Sequence, residues 1–235
     1  GKISDMFKAL FKNDQAMTVV VSIILVYTSL NICGNLVLYF FRFDVGNEGA
    51  YSIFAAVAFA AQVLVMMVIP LLRKRFSKSQ LFISGFIIQI AGFAVILIMA
   101  FAKLYTPQSW YILCLPGILI YLGYGMLNVI MTIFLSDSVD YGEVMNGTRE
   151  ESVIFSMQTF TVKLASGVAV FLAGLVVDWI HLDTAAAVQT QDTLDALRMW
   201  MTIPSVILLI VGIFVFKRFY KLDDTRMEEI KSKLN

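Results

Sequence analysis

The chain has 235 residues, of which 59% are hydrophobic and 15% charged, with a formal net charge of +1. Soluble domains usually carry about 25% charged and 45–50% apolar residues, so this composition excludes an ordinary water-soluble fold. The near-neutral charge gives no electrostatic footprint for nucleic acid, and no nucleic-acid partner is expected. The two cysteines and the single histidine match no metal spacing. No catalytic motif is present either, and we expect neither an enzyme nor a cofactor.

Long apolar blocks predict membrane-spanning helices, because about 20 apolar residues in a helix cross a hydrocarbon core of roughly 30 Å. A short amphipathic helix is predicted over residues 1–13, ahead of the first block. The six blocks are residues 16–40, 50–72, 81–102, 111–135, 152–177 and 199–216. A polar loop is predicted over 136–151, and a polar tail helix over 223–235. The fold class expected is an all-α membrane protein in which residues 14–222 form a six-helix bundle.

The basic residues are distributed unevenly between the two ends of these blocks. Fourteen of the 18 lysines and arginines lie before the first block, after the second, after the fourth and after the sixth. Three others, Arg42, Lys103 and Arg198, lie in the alternate connections, and Lys163 lies inside the fifth block. Because cytoplasmic loops carry an excess of Lys and Arg, the pattern predicts that both termini are cytoplasmic.

The fifth block carries a polar stripe through Lys163, which is predicted to lie near the middle of the membrane. At 100° per residue, one face collects Ser152, Ser156, Thr159, Lys163, Ser166, Gly167 and Gly174. A charged side chain at this depth is costly, so the stripe indicates a wet cavity or an anionic partner. The alternative is a structural ion pair within the bundle. None of the six blocks has a carboxylate at mid-depth, so an acidic partner is expected outside them or on a ligand.

The first and fourth blocks carry further polar side chains at helical spacing. They are Tyr27 and Asn31 in the first block, and Tyr121, Tyr124 and Asn128 in the fourth. These residues are predicted to line a polar lumen together with the fifth block. The alternative is hydrogen bonding between packed helices. The sixth block is nearly featureless and is expected to face lipid.

Four charged residues follow the fourth block: Asp137, Asp140, Glu143 and Arg149. Their position predicts a charged cytoplasmic mouth, where carboxylates meet a partner across a closing cavity. The alternative is a solvated loop, in which exposed ion pairs contribute only about 0–1 kcal/mol.

The same region resembles a known family signature. The residues that carry the resemblance are the run 137–143, Gly147, Arg149, Glu150, Ser152 and the run 155–163. They are similar to the end of the tenth helix, the following loop and the eleventh helix of glycoside–pentoside–hexuronide:cation symporters. The resemblance implies a major facilitator superfamily fold of two six-helix halves, of which this chain resembles the second. It also implies sugar transport by alternating access, in a bacterial inner membrane.

The resemblance also implies roles for individual residues. Lys163 and Thr159 would reach a central cavity near the sugar and cation sites, with Gln158 adjoining them. The charged group at 137–149 would pair with the first half when the inner side is closed. The partners implied are a sugar, a coupling cation (Na⁺, H⁺ or Li⁺), the lipid bilayer and the missing N-terminal half, which would supply most ligands of the cation.

Two other interpretations of the bundle remain open at this point. One is a non-transporting six-helix scaffold or subunit, in which the polar stripes only hold helices together. The other is a homodimeric half-carrier, in which a second copy replaces the missing half. A homodimer would bring Lys163 against its own copy, an unfavourable meeting of like charges unless an anion binds between them.

Overall fold

The computed structural model describes residues 3–235, and the regular structure in that part of the chain is helical. The α-helices are α1 (Ile3–Lys12), α2 (Asp14–Tyr39), α3 (Ala50–Leu72), α4 (Lys78–Phe101), α5 (Cys114–Asn146), α6 (Glu151–Trp179), α7 (Gln191–Phe219) and α8 (Asp224–Leu234). A π-helical segment, Phe40–Val45, continues α2, and a 3₁₀ turn, Trp110–Leu113, leads into α5. Helices α2 to α7 are each long and apolar enough to cross a membrane. The protein is therefore a multi-pass helical membrane protein, as its composition predicts.

Helices α2 and α5 form the centre of the bundle. They contact each other, and α4 and α7 pack together against them, α4 on α5 and α7 on α2. Helix α3 packs mainly on α5, and α6 mainly on α2. The buried residues of α6 recur every three or four positions, at Ile154, Met157, Thr161, Ala165, Ala169, Ala173 and Val176. Because this stripe is narrow, most of the surface of α6 is open in the six-helix bundle.

Glycine lets α4 and α5 approach closely. A Cβ atom added to Gly92 would lie 2.7 Å from the backbone nitrogen of Ile120, and one added to Gly123 would lie 2.6 Å from the carbonyl oxygen of Gly85. Small residues at helix contacts in membranes allow the backbones themselves to pack. Rings of Phe82, Phe134 and Phe216 then join α4, α5 and α7, with centroids 4.8 to 5.7 Å apart.

The predicted loop over 136–151 is wrong for most of its length. Helix α5 continues to Asn146 and ends at Gly147, whose φ of +76° is the left-handed conformation that terminates helices. Only residues 147–150 separate α5 from α6. Residues 136–146 are polar and were therefore predicted to form a loop. They instead form a helical extension of α5 that projects beyond its apolar part. Polar groups of this extension form ion pairs and hydrogen bonds with neighbouring elements.

The prediction for the sixth block also needs correction. Helix α7 begins at Gln191, eight residues before the predicted start, because Thr190 caps it by accepting a hydrogen bond from the nitrogen of Thr193. Its outer face is apolar and exposed, at Ile203, Ile207, Ile210 and Phe214. Its inner face is far from featureless, since Arg198, Thr202 and Ser205 are buried there.

The two short helices lie at one end of the bundle. Helix α1 falls within the predicted segment 1–13, of which residues 1 and 2 lie outside the described part. Helix α8 is capped by Asp223, and it buries Met227 and Ile230 in a small cluster with Leu222. We call this the basic end; it carries α1, α8 and the α3–α4 and α5–α6 connections.

Candidate functional site

Three tyrosines from the predicted site meet between the two central helices. The rings of Tyr27 on α2 and Tyr124 on α5 are in edge contact, with centroids 5.5 Å apart. Tyr121 continues the cluster, 6.3 Å from Tyr124. We call these three residues the tyrosine cluster. Tyr124 is buried and the other two are half-buried, so the cluster lies at the edge of the core rather than inside it.

The asparagines beside the tyrosine cluster are partly exposed. The Nδ2 atom of Asn31 donates to the carbonyl oxygen of Tyr27 at 2.7 Å, one turn earlier in α2. On α5, the backbone carbonyl oxygen of Asn128 accepts a hydrogen bond from the Thr132 hydroxyl at 3.1 Å, so this bond does not involve the Asn128 side-chain amide. Both asparagine side chains are half-buried. Each therefore presents amide groups at the surface of the bundle next to aromatic rings.

Lys163 lies on the open face of α6, two residues before the midpoint of that 29-residue helix. Its side chain is exposed in the six-helix bundle, and it makes no hydrogen bond or salt bridge with residues 3–235. Thr159 is exposed one turn earlier, and its hydroxyl donates to the carbonyl oxygen of Phe155 at 3.3 Å. Side chains added at Gly167 and Gly174 would meet no atom within 4 Å. These residues form what we call the Lys163 face.

Gln158 does not share the Lys163 face. Its Nε2 atom donates to the hydroxyl of Thr132 on α5 at 3.4 Å, and its side chain is half-buried. Gln158 therefore joins α6 to α5 on the side of the tyrosine cluster. The structure thus divides the eight predicted cavity residues into two groups. The first group is the tyrosine cluster together with Asn31 and Asn128. The second is the exposed pair Thr159 and Lys163. Gln158 belongs to neither group and lies between them.

An exposed lysine at this depth has a direct energetic consequence. Placing a charged side chain at the centre of a bilayer costs several kcal/mol, roughly 2.5–3.5 on insertion scales. Two residues from the middle of a long helix, Lys163 lies too deep for its side chain to reach the headgroups comfortably. The Lys163 face is therefore suited to contact with water or protein rather than with lipid tails.

Three of the four predicted mouth residues form one ion cluster. The Nη1 atom of Arg149 lies 2.8 Å from Oδ1 of Asp140 and 2.8 Å from Oε2 of Glu143, and its Nε lies 3.1 Å from Oε2 of Glu151. Hydrogen bonds to these carboxylates raise the pKa of Arg149 above its usual value. The cluster joins the end of α5 to the start of α6 across a short connection.

Asp137, the fourth predicted mouth residue, is buried and does not belong to this exposed cluster. Its side chain is buried, and it forms an ion pair with the equally buried Lys78 at the start of α4. Lys78 also lies 3.4 Å from Asp224 on α8, and Arg73 binds the same carboxylate at 3.3 Å. Asp137 therefore belongs to an internal connection between α4, α5 and α8, separate from the cluster around Arg149.

The opposite end of the bundle holds an ion cluster that the sequence analysis missed. Arg198 on α7 donates from Nε to Oδ2 of Asp44 at 2.6 Å and from Nη2 to Oδ1 at 3.0 Å. The hydroxyl of Tyr105 donates to the same carboxylate at 2.6 Å, and Lys103 lies 3.6 Å away. Burial, and then the hydrogen bond to Asp44, raise the pKa of Tyr105. The helix cap at Thr190 was the sequence signal available, since it places Arg198 inside a helix rather than in a connection.

The comparisons with known proteins agree with this architecture. A family model described as "MFS/sugar transport protein" matches residues 1–224. The chain is 25% identical over 233 residues to an uncharacterized symporter of Bacillus subtilis, 23% identical over 234 residues to the raffinose carrier protein of Pediococcus pentosaceus, and 25% identical over 223 residues to the isoprimeverose transporter of Lactiplantibacillus pentosus. The matches cover 99%, 99% and 94% of this chain.

The fold is that of a multi-pass helical membrane protein, and one polar face of α6 is exposed in it. The chain belongs to the MFS/sugar transport protein family. The resemblance carried by residues 137–163 is confirmed at the level of the family, and the family consists of transporters rather than enzymes. The chain spans 49%, 35% and 44% of the lengths of the three relatives named above.

Proposed function

We propose that this chain acts as the second half of a sugar:cation symporter that works by alternating access. The observation that carries the proposal is the exposed Lys163 face, in a chain that spans less than half of each of the three relatives named. A second six-helix half covering this face would turn an unfavourable lipid contact into the wall of a central cavity. In transporters of repeated architecture, binding sites lie near the midplane between the halves.

The sugar would contact the tyrosine cluster and its neighbouring amides. Binding pockets for small molecules combine aromatic walls with a few placed polar groups. Tyr27, Tyr121 and Tyr124 supply the rings, and Asn31 and Asn128 supply donors and acceptors for hydroxyl groups. Gln158 and Thr159 would extend this polar lining toward Lys163. The names of the raffinose and isoprimeverose relatives support a saccharide as the substrate class.

The coupling cation would be held mainly by the other half. Na⁺, Li⁺ and H⁺ all favour carboxylate oxygens, and the chain offers none at the depth of Lys163. Lys163 would meet an acidic group across the interface and so tune the electrostatics of the cation site. Coupling then requires that cation and sugar together favour the occluded state more than either ligand alone.

The Arg149 cluster would act at the inner mouth. The excess of basic residues at the basic end supports a cytoplasmic location for that end, and so for both termini. Asp140, Glu143 and Arg149 are placed at this end between α5 and α6, where they would exchange partners with the other half as the inner side closes. Asp137 would serve the gate indirectly, by fixing α4 and α8 behind it. The membrane proposed is the bacterial inner membrane.

Uptake measurements test this proposal. Proteoliposomes containing the chain together with its proposed first half are supplied with labelled glycosides, pentosides and hexuronides under imposed Na⁺, H⁺ or Li⁺ gradients. The proposal predicts uptake of one sugar class that depends on one gradient and is abolished by the matching ionophore. Absence of uptake for every sugar and gradient would favour a scaffold. Equal gradient-driven uptake by the chain alone would favour a homodimeric carrier.

A further inference from the structure

A cavity of about 440 Å³ lies at the basic end, between the α3–α4 connection and α8. Seven charged side chains are among its lining residues. The positive ones are Arg73, Lys74, Arg75, Lys78 and Lys231, and the negative ones are Asp224 and Glu228. The lining thus has an excess of three positive charges. We call it the basic cavity.

Part of this charge is already neutralised within the protein. Arg73 and Lys78 share Asp224, at 3.3 and 3.4 Å, and Lys78 also pairs with Asp137. Lys74, Arg75 and Lys231 are exposed, and none of them forms a salt bridge with another residue in the described chain, 3–235. The basic cavity therefore combines two cations held by carboxylates with three that form no salt bridge, and Glu228 is the one lining carboxylate that also forms none within residues 3–235.

A neighbouring cavity provides an internal comparison. It has the same volume of about 440 Å³ and is lined by Asp140, Glu143, Arg149, Lys231, Leu234 and Asn235. Its two acidic and two basic side chains balance, and Arg149 is bound to both carboxylates. Lys231 lines both cavities; without it the neighbouring cavity has an excess of one negative charge, whereas the basic cavity keeps an excess of two positive charges.

The basic cavity lies at the depth expected for lipid headgroups. Helix α3 has 23 residues, so at 1.5 Å per residue it just crosses a hydrocarbon core, and it ends at Leu72. Phe76 lines the cavity and is 46% exposed, and Leu71, two residues before Arg73 in α3, is 60% exposed. Apolar side chains thus adjoin the basic groups where the membrane interior gives way to its polar surface.

We propose that the basic cavity binds an anionic phosphate group, either that of an anionic phospholipid headgroup or free phosphate. The guanidinium of Arg75 suits two phosphate oxygens at once, and Lys74 and Lys231 add point charges from the α3–α4 connection and from α8. Basic pockets of this kind beside membrane helices recognise anionic headgroups. Because Lys74 and Lys231 come from different elements, the bound anion also joins α8 to the α3–α4 connection.

Native mass spectrometry of the purified protein in detergent tests this site. Phosphatidylglycerol and phosphatidylcholine are supplied at equal concentration, and inorganic phosphate is supplied separately in thermal unfolding experiments. The cavity variant is Lys74→Gln/Arg75→Gln/Lys231→Gln. The matched control is Lys8→Gln/Lys217→Gln/Lys233→Gln, which removes the same charge from exposed residues of the same end. Circular dichroism checks that both variants keep the helix content of the wild type.

The wild type should retain phosphatidylglycerol in preference to phosphatidylcholine. Its affinity should fall about tenfold or more in the cavity variant and by less than about twofold in the control. Stabilisation by inorganic phosphate that the cavity variant loses would support the site with free phosphate as its source. Equal losses in the two variants would overturn the proposal. So would the lack of both phosphatidylglycerol preference and phosphate stabilisation. None of these readouts depends on sugar transport.

Discussion

Arg198 and Asp44, 154 residues apart, form a two-point ion pair that is almost fully buried, with side chains 2% and 0% exposed. The pair joins α7 to the π-helical end of α2, the helix that carries Tyr27 and Asn31. At the other end of the bundle the buried Lys78–Asp137 pair joins α4 to α5, so each of the two central helices is held to a neighbour by a buried ion pair. Breaking either should therefore affect the whole bundle rather than one helix end.

Arg198→Gln or Asp44→Asn should each destabilise the protein, by up to roughly 3–5 kcal/mol, because the remaining charge stays buried and keeps only a more exposed ionic partner, Lys103 for Asp44 or Asp195 for Arg198. The double variant should cost clearly less than the sum of the single variants. Unfolding in detergent, analysed as a double-mutant cycle, measures this coupling.

Arg42→Gln and Glu48→Gln provide the control cycle, since their ion pair spans 3.8 Å at 37% and 58% exposure. It should give a coupling within about 1 kcal/mol. Similar coupling energies in the two cycles would contradict a structural role for the buried pair.

Tyr105 should remain un-ionised well above the ordinary tyrosine pKa of 10.0, because burial and its bond to Asp44 both oppose the phenolate. At a pH of about 11, most unperturbed tyrosines are ionised. The phenolate absorbance of folded wild type and of Tyr105→Phe should therefore be equal at that pH. A larger signal in the wild type would show that Tyr105 titrates normally.

The raised pKa of Tyr105 also makes the unfolding free energy of the protein depend on pH. A raised pKa means that the folded state holds the proton more tightly than the unfolded state. The contribution of Tyr105 protonation to the unfolding free energy is fully present below pH 10 and is lost as the pH rises above that value. Wild type and Tyr105→Phe should therefore converge in unfolding free energy at high alkaline pH. A difference that stayed constant from pH 8 upward would contradict this assignment.

The same substitution should destabilise the protein at Gly92 and have almost no effect on its stability at Gly167. Gly92→Val should destabilise the protein by roughly 1–3 kcal/mol, because the added atoms would meet the backbone of Ile120. Gly167→Val should change the unfolding free energy by less than about 0.5 kcal/mol, because nothing lies within 4 Å of its Cβ position. In the complete carrier, Gly167→Val should nevertheless reduce uptake, because the side chain would project from the Lys163 face. Unchanged uptake would place that face against lipid.

Asp224 should control how firmly α8 is docked. Asp224→Asn removes the carboxylate that Arg73 and Lys78 share, so backbone amides of 224–234 should exchange hydrogen faster, by about tenfold. Glu229→Gln breaks only the exposed pair with Arg226 and should leave exchange almost unchanged. Hydrogen exchange read by mass spectrometry distinguishes the two. Equal rates in both variants would show that α8 is held by its apolar face alone.

The six spans could be predicted from sequence because lipid demands long apolar helices, and that constraint acts on each block separately. The extension of α5 to Asn146 could not, because its polar residues are stabilised by partners far away in sequence, such as Lys78 for Asp137 and Asn13 for Ser138. For the same reason, Arg198 was assigned to a connection rather than to a buried pair.

The candidate site was predicted in part. Periodicity was sufficient to group Thr159 and Lys163 on one face of α6, and the structure leaves that face exposed. Gln158 was placed next to this face by the family resemblance rather than by periodicity, and its side chain turns toward Thr132 on α5. Which neighbour a helix packs on is decided by tertiary structure. Asp137 was grouped with Asp140, Glu143 and Arg149 by its position after the fourth block, whereas its buried pair with Lys78 depends on tertiary structure. The transport roles of these residues stay predictions.

The most direct test of the central claim is sugar uptake by the complete carrier with Lys163→Gln, beside Lys217→Gln as a control from the exposed end of α7. Both changes remove one lysine charge, but only the first alters the proposed cavity. Lys163→Gln should lower the initial rate of cation-driven uptake about tenfold or more, equivalent to roughly 1.4 kcal/mol, while Lys217→Gln stays within about twofold. Unchanged uptake and unchanged cation dependence in Lys163→Gln would contradict the account.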